Sequence, residues 1–380
     1  MIALKVIFWT SVIAIIYTYL GYPLLMTVLN KLGSKPVQKR DYYPKVSLII
    51  AAYNEEKHIE AKIKNSLFLD YPKEKLEIIV ASDGSTDDTV SILEKYAQKG
   101  IKLINSKKRV GKTSVQNEAA KISKGEILFF SDVAAIHPPD VIKKITRNFA
   151  DETVGCVTGR VKFTIDEENL ISKGADLRLK YEISLREKQS RYHSLLGATG
   201  CIYAIRKTLF EPLRDDLVSD FVEPLIILEK GYRTVYEPGA FALINRKIDL
   251  RREFLRRVRV TQQGLFGLFF MRHLLNPMRF GFLSFSLISH RLLRWWMPLF
   301  LVSLFLSNLF LINDKLYLVL LTGQLIFYIS GIIGLLTVKE NRTFKFLHPL
   351  VYFCMVNLAA TVGLYRYSRG WKQIYWETLR

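Results

Sequence analysis

Apolar positions along the chain fall into three regimes. Residues 6–29 form an almost unbroken apolar and aromatic run, interrupted only by Gly21-Tyr22-Pro23. From residue 45 to about 263, short apolar runs alternate with charged, turn-rich stretches. Beyond that the chain turns apolar again, over 295–312 and 316–338, across a tight Asn313-Asp314-Lys315 turn. The first and last regimes reach the ~20 residues that an apolar helix needs to cross a hydrocarbon core. The middle regime has the pattern of a folded domain.

Within the middle regime the period of the pattern alternates. Residues 46–52 are continuously apolar and predict a strand, whereas 56–69 place Ile59, Ile63 and Leu67 at helical spacing. A second strand is expected at 76–82. A helix is expected to begin at Ser85, with Asp88 three residues on completing a capping box. A short strand at 101–104, a helix at 112–122 and a strand at 127–130 follow. Such alternation predicts an α/β domain, a parallel sheet covered by helices on both faces. Ligands of these sheets bind beyond the carboxyl ends of the strands, and Tyr53-Asn54-Glu55, Asp83-Gly84 and Asp132 fall there. One acidic residue after a strand is usually a turn; acidic groups after three strands make a site.

Charge settles orientation. The chain of 380 residues is 49% hydrophobic and carries a formal charge of +20. A nucleic-acid partner is the weaker reading, because no zinc-ligand spacing, RNP-like strand or basic reading helix occurs. A basic face beside anionic membrane lipids accounts for the same charge. The first apolar run is too long for a signal peptide, and no small-residue cleavage site follows it. Lys31, Lys35, Lys39, Arg40 and Lys45 follow that run, which places the next domain in the cytoplasm of a multi-pass cell-membrane protein. Segments 264–275 and 280–294 mix apolar residues with Arg272, His273, His290, Arg291 and Arg294, and predict helices lying in the interface. Segment 350–365 is shorter. Strict alternation would put its tail cations (Arg366, Arg369, Lys372, Arg380) outside, against the charge rule, so whether it crosses stays open. Cys156, Cys201 and Cys354 lack metal-ligand spacing, as do His58, His137 and His193, which read as surface or supporting residues.

A resemblance becomes specific across the middle regime. Ser47-Leu48-Ile49-Ile50-Ala51-Ala52-Tyr53-Asn54-Glu55-Glu56, Ala81-Ser82-Asp83-Gly84-Ser85-Thr86-Asp87, Gly111-Lys112, Phe130-Ser131-Asp132, Gly197-Ala198-Thr199-Gly200, Ser219-Asp220 and the arginine run at Arg256 occur in the order seen in family 2 glycosyltransferases. The chain thus resembles the inverting, membrane-associated members of that family, relatives of the polysaccharide synthases. The resemblance implies a GT-A fold, a Rossmann-like mixed sheet, over residues 44–263. A transmembrane helix at 1–30, interfacial helices at 264–294 and a transmembrane region at 295–380 would flank it.

The resemblance also implies roles. Tyr53 and Glu55 would contact nucleobase and ribose, and Asp83 would grip the uracil or ribose; alone, Asp83 would read as a turn residue before Gly84. Arg109 and Lys112 would approach a pyrophosphate, against the plain reading of a solvated basic loop. Asn117 would orient that loop. Asp132 takes the place of the first acid of the family's Asp-x-Asp motif, which implies Mg²⁺ or Mn²⁺, although Ala134 replaces the second acid. Asp220 aligns with the general base of inverting transfer, with Ser219 where a second acid often stands; the rival reading makes Asp220 the N-cap of a helix over 222–229, and Glu223 is the second choice of base. Arg259 matches the arginine of the Gln-x-x-Arg-Trp motif, with Arg256 in place of the Gln and Val260 in place of the Trp. The plain reading of this run is a basic juxtamembrane helix on anionic headgroups. Loss of the Trp platform argues for adding one or few sugars rather than a long polymer. Trp295 and Trp296 read as interfacial belt residues. The expected activity is transfer of a hexosyl or N-acetylhexosaminyl group from a nucleotide diphosphate sugar, read as a UDP-sugar, to a saccharide or lipid-linked acceptor in exopolysaccharide or cell-envelope glycan synthesis. A polyprenyl-phosphate glycosyltransferase and a non-catalytic nucleotide-sugar-binding scaffold are the alternatives, and the oligomeric state is open.

Overall fold

The computed structural model describes residues 1–164, 170–245, 250–337 and 348–375, so Val338 and Arg380 lie outside the described residues. The chain forms two compact units, one of Met1–Lys31, Ile165–Leu185 and Lys247–Trp371, the other of Leu32–Thr164, Arg186–Arg246 and Lys372–Arg380.

The second unit is built on a seven-stranded sheet of β1 (Val46–Ala52), β2 (Leu76–Ser82), β3 (Ile101–Asn105), β4 (Ile127–Asp132), β5 (Val154–Thr164), β6 (Ile202–Arg206) and β7 (Arg233–Asn245), in the order β3-β2-β1-β4-β6-β5-β7. Pairs β1–β2, β2–β3 and β1–β4 are parallel, β4–β6 and β5–β6 antiparallel, and β5–β7 parallel, so the sheet is mixed. Every residue of β1 is buried, which explains its unbroken apolar run. Val46, Leu48, Ile50 and Ala52 pack with Ile59 and Ile63 on one face, and Ile49 and Ala51 with Val115 and Ala119 on the other. The register pairs Ala52 with Ser82 and Ala51 with Asp132, which brings the ends of β1, β2 and β4 level.

The capping box at Ser85 does not form. The helix starts at Thr89, and its cap position, Asp88, makes no side-chain cap bond. Ser85 Oγ instead accepts the backbone N–H of Asn54 (3.1 Å), and Asp87 accepts from the N–H and hydroxyl of Thr89 (3.1 and 2.6 Å). Ser85 thus ties the neighbouring loop instead of the helix end, while Asp87 takes the first N–H of the helix.

In the first unit, three described helices are long and apolar enough to cross a membrane, as in a membrane protein: Ile2–Leu32, Lys315–Leu336 and Pro349–Ser368. Pro23 does not break the first, because a π-turn over Tyr17–Gly21 widens the helix just before it. The span expected at 295–312 is shorter than foreseen. Met297–Leu309 has 13 residues, about 20 Å at the helical rise, and qualifies only jointly with Phe282–Trp295, from which it bends by 61°. Residues 264–270 are not a separate interfacial helix but the end of Leu250–Phe270, since no breaker intervenes.

Candidate active site

The loops at the ends of β1 and β2 close around Asp83, which is fully buried. Asp83 accepts hydrogen bonds from the backbone N–H groups of Val110 (2.6 Å) and Gly111 (3.0 Å), with Arg109 Nε at 4.0 Å. Burial raises its carboxyl above the usual range, against the pull of those bonds and of Arg109. Asp83 thereby holds the 108–111 loop over Gly84. A Cβ on Gly84, whose φ is +66°, would come within 2.7 Å of the Lys108–Arg109 backbone, so only glycine fits. The Arg109 guanidinium lies 3.8 Å from the Tyr53 ring centre. Glu55 is buried, its N–H donating to Thr89 Oγ1 (2.7 Å).

A second cluster gathers where β4 ends. Lys112 Nζ lies 2.5 Å from Asp132 Oδ1 and 3.4 Å from the Gly200 carbonyl. Burial works against the Lys112 charge, yet Asp132, and behind it Asp220, hold the ammonium above the ordinary lysine range. Gly200 is needed here because a Cβ would lie 2.5 Å from Asp220 Oδ2. The Asp220 carbonyl accepts the Ala198 N–H at 2.7 Å, which fixes the Gly197-Ala198-Thr199-Gly200 loop against it. Asp220 is not an N-cap: the helix runs Ser219–Glu229 with Val218 at the cap, and Asp220 lies in its first turn. Glu223 is buried beside Tyr203, and burial first, then the Asp220 charge, pushes its carboxyl up to about 8. A carboxyl protonated at neutral pH is poorly suited to taking up a proton there.

The helix Lys112–Ile122 ties the two clusters together through residues that sequence reasoning missed or misassigned. Thr113 Oγ1 donates to the Leu217 carbonyl (2.7 Å), and Ser219 Oγ donates to Gln116 Oε1 (2.8 Å). Asn117 does not orient the Arg109 loop. Its amide donates to the Leu213 carbonyl (2.7 Å) and accepts the Leu213 N–H (3.2 Å), so it holds the segment leading to Asp220. Lys62, absent from the sequence-based candidates, is fully buried and donates to Ser131 Oγ (2.8 Å) and the Ala135 carbonyl (2.5 Å) on either side of Asp132. Burial lowers its pKa to about 7. His137 is also buried, not on the surface, with Nε2 2.9 Å from the same Ser131 hydroxyl. The only signal of this bracing in the sequence is that Thr113, Gln116 and Asn117 are polar residues three and four apart on one helix.

Arg256 and Arg259 lie on Leu250–Phe270, in the other unit. Arg256 makes a two-pronged ion pair with Glu253, at 2.9 Å for both nitrogens, and Arg257 joins it at 2.7 Å. No group of three or more metal-binding side chains occurs among the described residues. Asp132 offers one carboxylate, its side chain 40% exposed and shared with Lys112. That donor set fits a hard divalent ion that takes its remaining ligands from phosphate oxygens and water.

The fold is the GT-A fold, and residues 47–214 match the model of Glycosyl transferase family 2. The chain carries a family 2 glycosyltransferase domain. Among curated proteins it is similar to a beta-monoglucosyldiacylglycerol synthase of Nostoc sp., 28% identical over 50% of this chain and 42% of that protein. It is also similar to the poly-beta-1,6-N-acetyl-D-glucosamine synthase of Staphylococcus aureus, 27% identical over 61% of this chain and 58% of that protein. The matched region thus spans about half the length of these relatives. Among solved structures, the Pyrobaculum calidifontis mannosyltransferase PcManGT, in complex with GDP-Man and Mn²⁺, superposes with a TM-score of 0.75 at 21% identity, over 97% of this chain and all (100%) of that one.

Proposed function

We propose that the chain is an inverting glycosyltransferase. It moves a sugar from a nucleotide diphosphate sugar to a lipid-linked or saccharide acceptor at the cytoplasmic face of the membrane. The observation that carries this reading is the convergence of Asp132, Lys112 and Asp220 around Gly200, at the ends of strands whose other loops present Tyr53 and Asp83. The uracil base is read from the family resemblance; the mannosyltransferase neighbour holds GDP-Man, so guanine is the other arm of the test.

In this reading Lys112 and Arg109 bind the diphosphate, and Asp132 holds Mg²⁺ or Mn²⁺ with it. When bound, the cation supplies neutralisation of the charge that builds on the departing diphosphate. Asp220 accepts the proton of the acceptor hydroxyl as its oxygen attacks the anomeric carbon from the face opposite the diphosphate. Lys62 and Ser131 keep Asp132 in place from behind, and Gln116 and Asn117 hold the turn that carries Asp220. Arg259, on its amphipathic helix, is assigned to the diphosphate by resemblance alone, and Arg256 to bracing through Glu253.

Chain connectivity supports a topology. Lys5 pairs with Asp314 at 3.6 Å, so the 310–314 turn lies at the end of the first helix remote from the basic flank. The last helix packs lengthwise on Leu250–Phe270: Tyr352 Oη donates to Glu253 (3.1 Å), and the Tyr367 ring lies 4.9 Å from Phe266. The arginines of Leu250–Phe270 exclude it from the hydrocarbon core, and the last helix goes with it. The chain then returns to the catalytic unit at Lys372. Crossings by Ile2–Leu32, by the bent pair Phe282–Trp295 and Met297–Leu309 taken as one, and by Lys315–Leu336 would put the catalytic domain and the C-terminal cations inside, in keeping with the charge rule.

The test is release of nucleotide by the full chain in lipid nanodiscs from a panel of UDP- and GDP-sugars with a lipid extract as acceptor. Release from one donor, dependent on acceptor, is expected; binding without release from any of them would favour the scaffold alternative.

A further inference from the structure

The segment Lys372–Tyr375 follows a helix of the first unit but belongs to the catalytic one. Three contacts hold it there. Lys372 Nζ pairs with Asp216 at 2.7 Å. Ile374 presses on the loop that Asp83 holds: Gly111 has φ +102°, and a Cβ there would lie 2.9 Å from Ile374 Cγ2 and 3.0 Å from its carbonyl oxygen. Tyr375 then reaches Arg109, whose guanidinium carbon is 4.9 Å from the Tyr375 ring centre and 3.8 Å from that of Tyr53. One planar cation thus sits against two tyrosine rings, one at the end of β1 and the other on the tail.

A guanidinium and a nucleobase are both flat and both stack on aromatic faces. A place against both rings that holds one can hold the other. The guanidinium also has a stronger partner in reach once a diphosphate is present, because a charge-assisted contact outweighs an exposed cation–π contact. We propose that Tyr53 and Tyr375 are the two walls of a nucleobase slot. Arg109 keeps that slot in the nucleotide-free protein, and leaves it for the diphosphate when the donor enters. The C-terminal tail is then part of the donor site, latched by Lys372 and Asp216. This inference rests on the donor reading above and adds to it the residue that closes the base.

Titration of the full chain in nanodiscs with UDP, GDP and inorganic pyrophosphate, each with Mg²⁺, tests the slot calorimetrically. For the nucleotide that wild type binds more tightly, Tyr375→Ala should raise Kd roughly tenfold, the size of one lost base–aromatic stack. Tyr375→Phe should stay near wild type, and neither should change pyrophosphate binding. Unchanged or tighter nucleotide binding by Tyr375→Ala would overturn the slot. So would an equal loss for nucleotide and pyrophosphate, which would make the tail a mere brace of the loop. A wild-type chain that binds neither nucleotide removes the donor reading, and the slot with it; one that binds UDP or GDP regardless of Tyr375 removes the slot alone.

Discussion

The two halves of the catalytic sheet encode their share of the site differently. In β3-β2-β1-β4 the strands are parallel, and each crossover returns after one helix, so the site residues sit beside their strands in sequence. In β6-β5-β7 the pairing is mixed, and Asp220 reaches the site on a helix held by side chains about a hundred residues away, Gln116 through Ser219 and Asn117 through Leu213. Apart from Tyr375 on the tail, the donor half is therefore written locally. The acceptor half is assembled at long range, and mutations in the two halves should separate binding from turnover.

The largest effect expected is that of Asp220→Asn. Turnover should fall ~10²-fold or more, the usual size of general-base catalysis, while the Kd for UDP or GDP stays close to wild type. Retained turnover would move the base elsewhere. Asp132→Asn should do the reverse, raising the nucleotide Kd in Mg²⁺ by at least about tenfold, and EDTA should abolish transfer by the native chain. Full activity in EDTA would leave the diphosphate to cations such as Arg109 and Lys112. Asn117→Ala sharpens the comparison, since this side chain lies on the donor-side helix but holds the acceptor side. Loss of its two hydrogen bonds, about 1 kcal/mol each, should lower turnover by up to about thirtyfold with little change in nucleotide affinity.

The smallest effect is on stability. Glu223 has its carboxyl raised to about 8, so the folded chain holds this proton where the unfolded chain has lost it. Its contribution is fully present below the ordinary glutamate range and is lost as pH rises through about 8. Glu223→Gln should therefore gain on wild type at pH 9 relative to pH 5, by about 3 °C or more in Tm. An equal Tm difference at both pH values would show that Glu223 ionises normally.

How much could be read beforehand follows the same division. The strands 46–52 and 76–82 and the helix 112–122 were legible to the residue, because buried parallel strands read as unbroken apolar runs and their helices as a 3.6-residue period. The resemblance supplied the family, the GT-A fold and the glycosyltransferase class. Ser85 misled, because a short hydroxyl bonds a neighbouring loop as readily as a helix end. Lys62 was passed over, although its place three residues after Ile59 puts it on the helix face that Ile59, Ile63 and Ser66 bury. The bent pair at 282–309 was invisible, as hydropathy registers apolar length but not a break at Trp296. The tail was read only as charge; that Tyr375 returns to Arg109 is a tertiary fact. Val260 in place of the family's Trp still predicts short products, which a size separation of the reaction would show as a ladder ending after one or two additions; a long polymer beside untouched acceptor would refute it.

The central claim is direct displacement, with Asp220 activating the acceptor on the face opposite the diphosphate. Proton NMR of the first product formed from the accepted α-linked donor tests this most directly, through the coupling of the new anomeric proton. The account predicts a β-linked sugar from the first turnover onward. An α-linked product would require a double displacement or a front-face route, and would contradict the role given to Asp220.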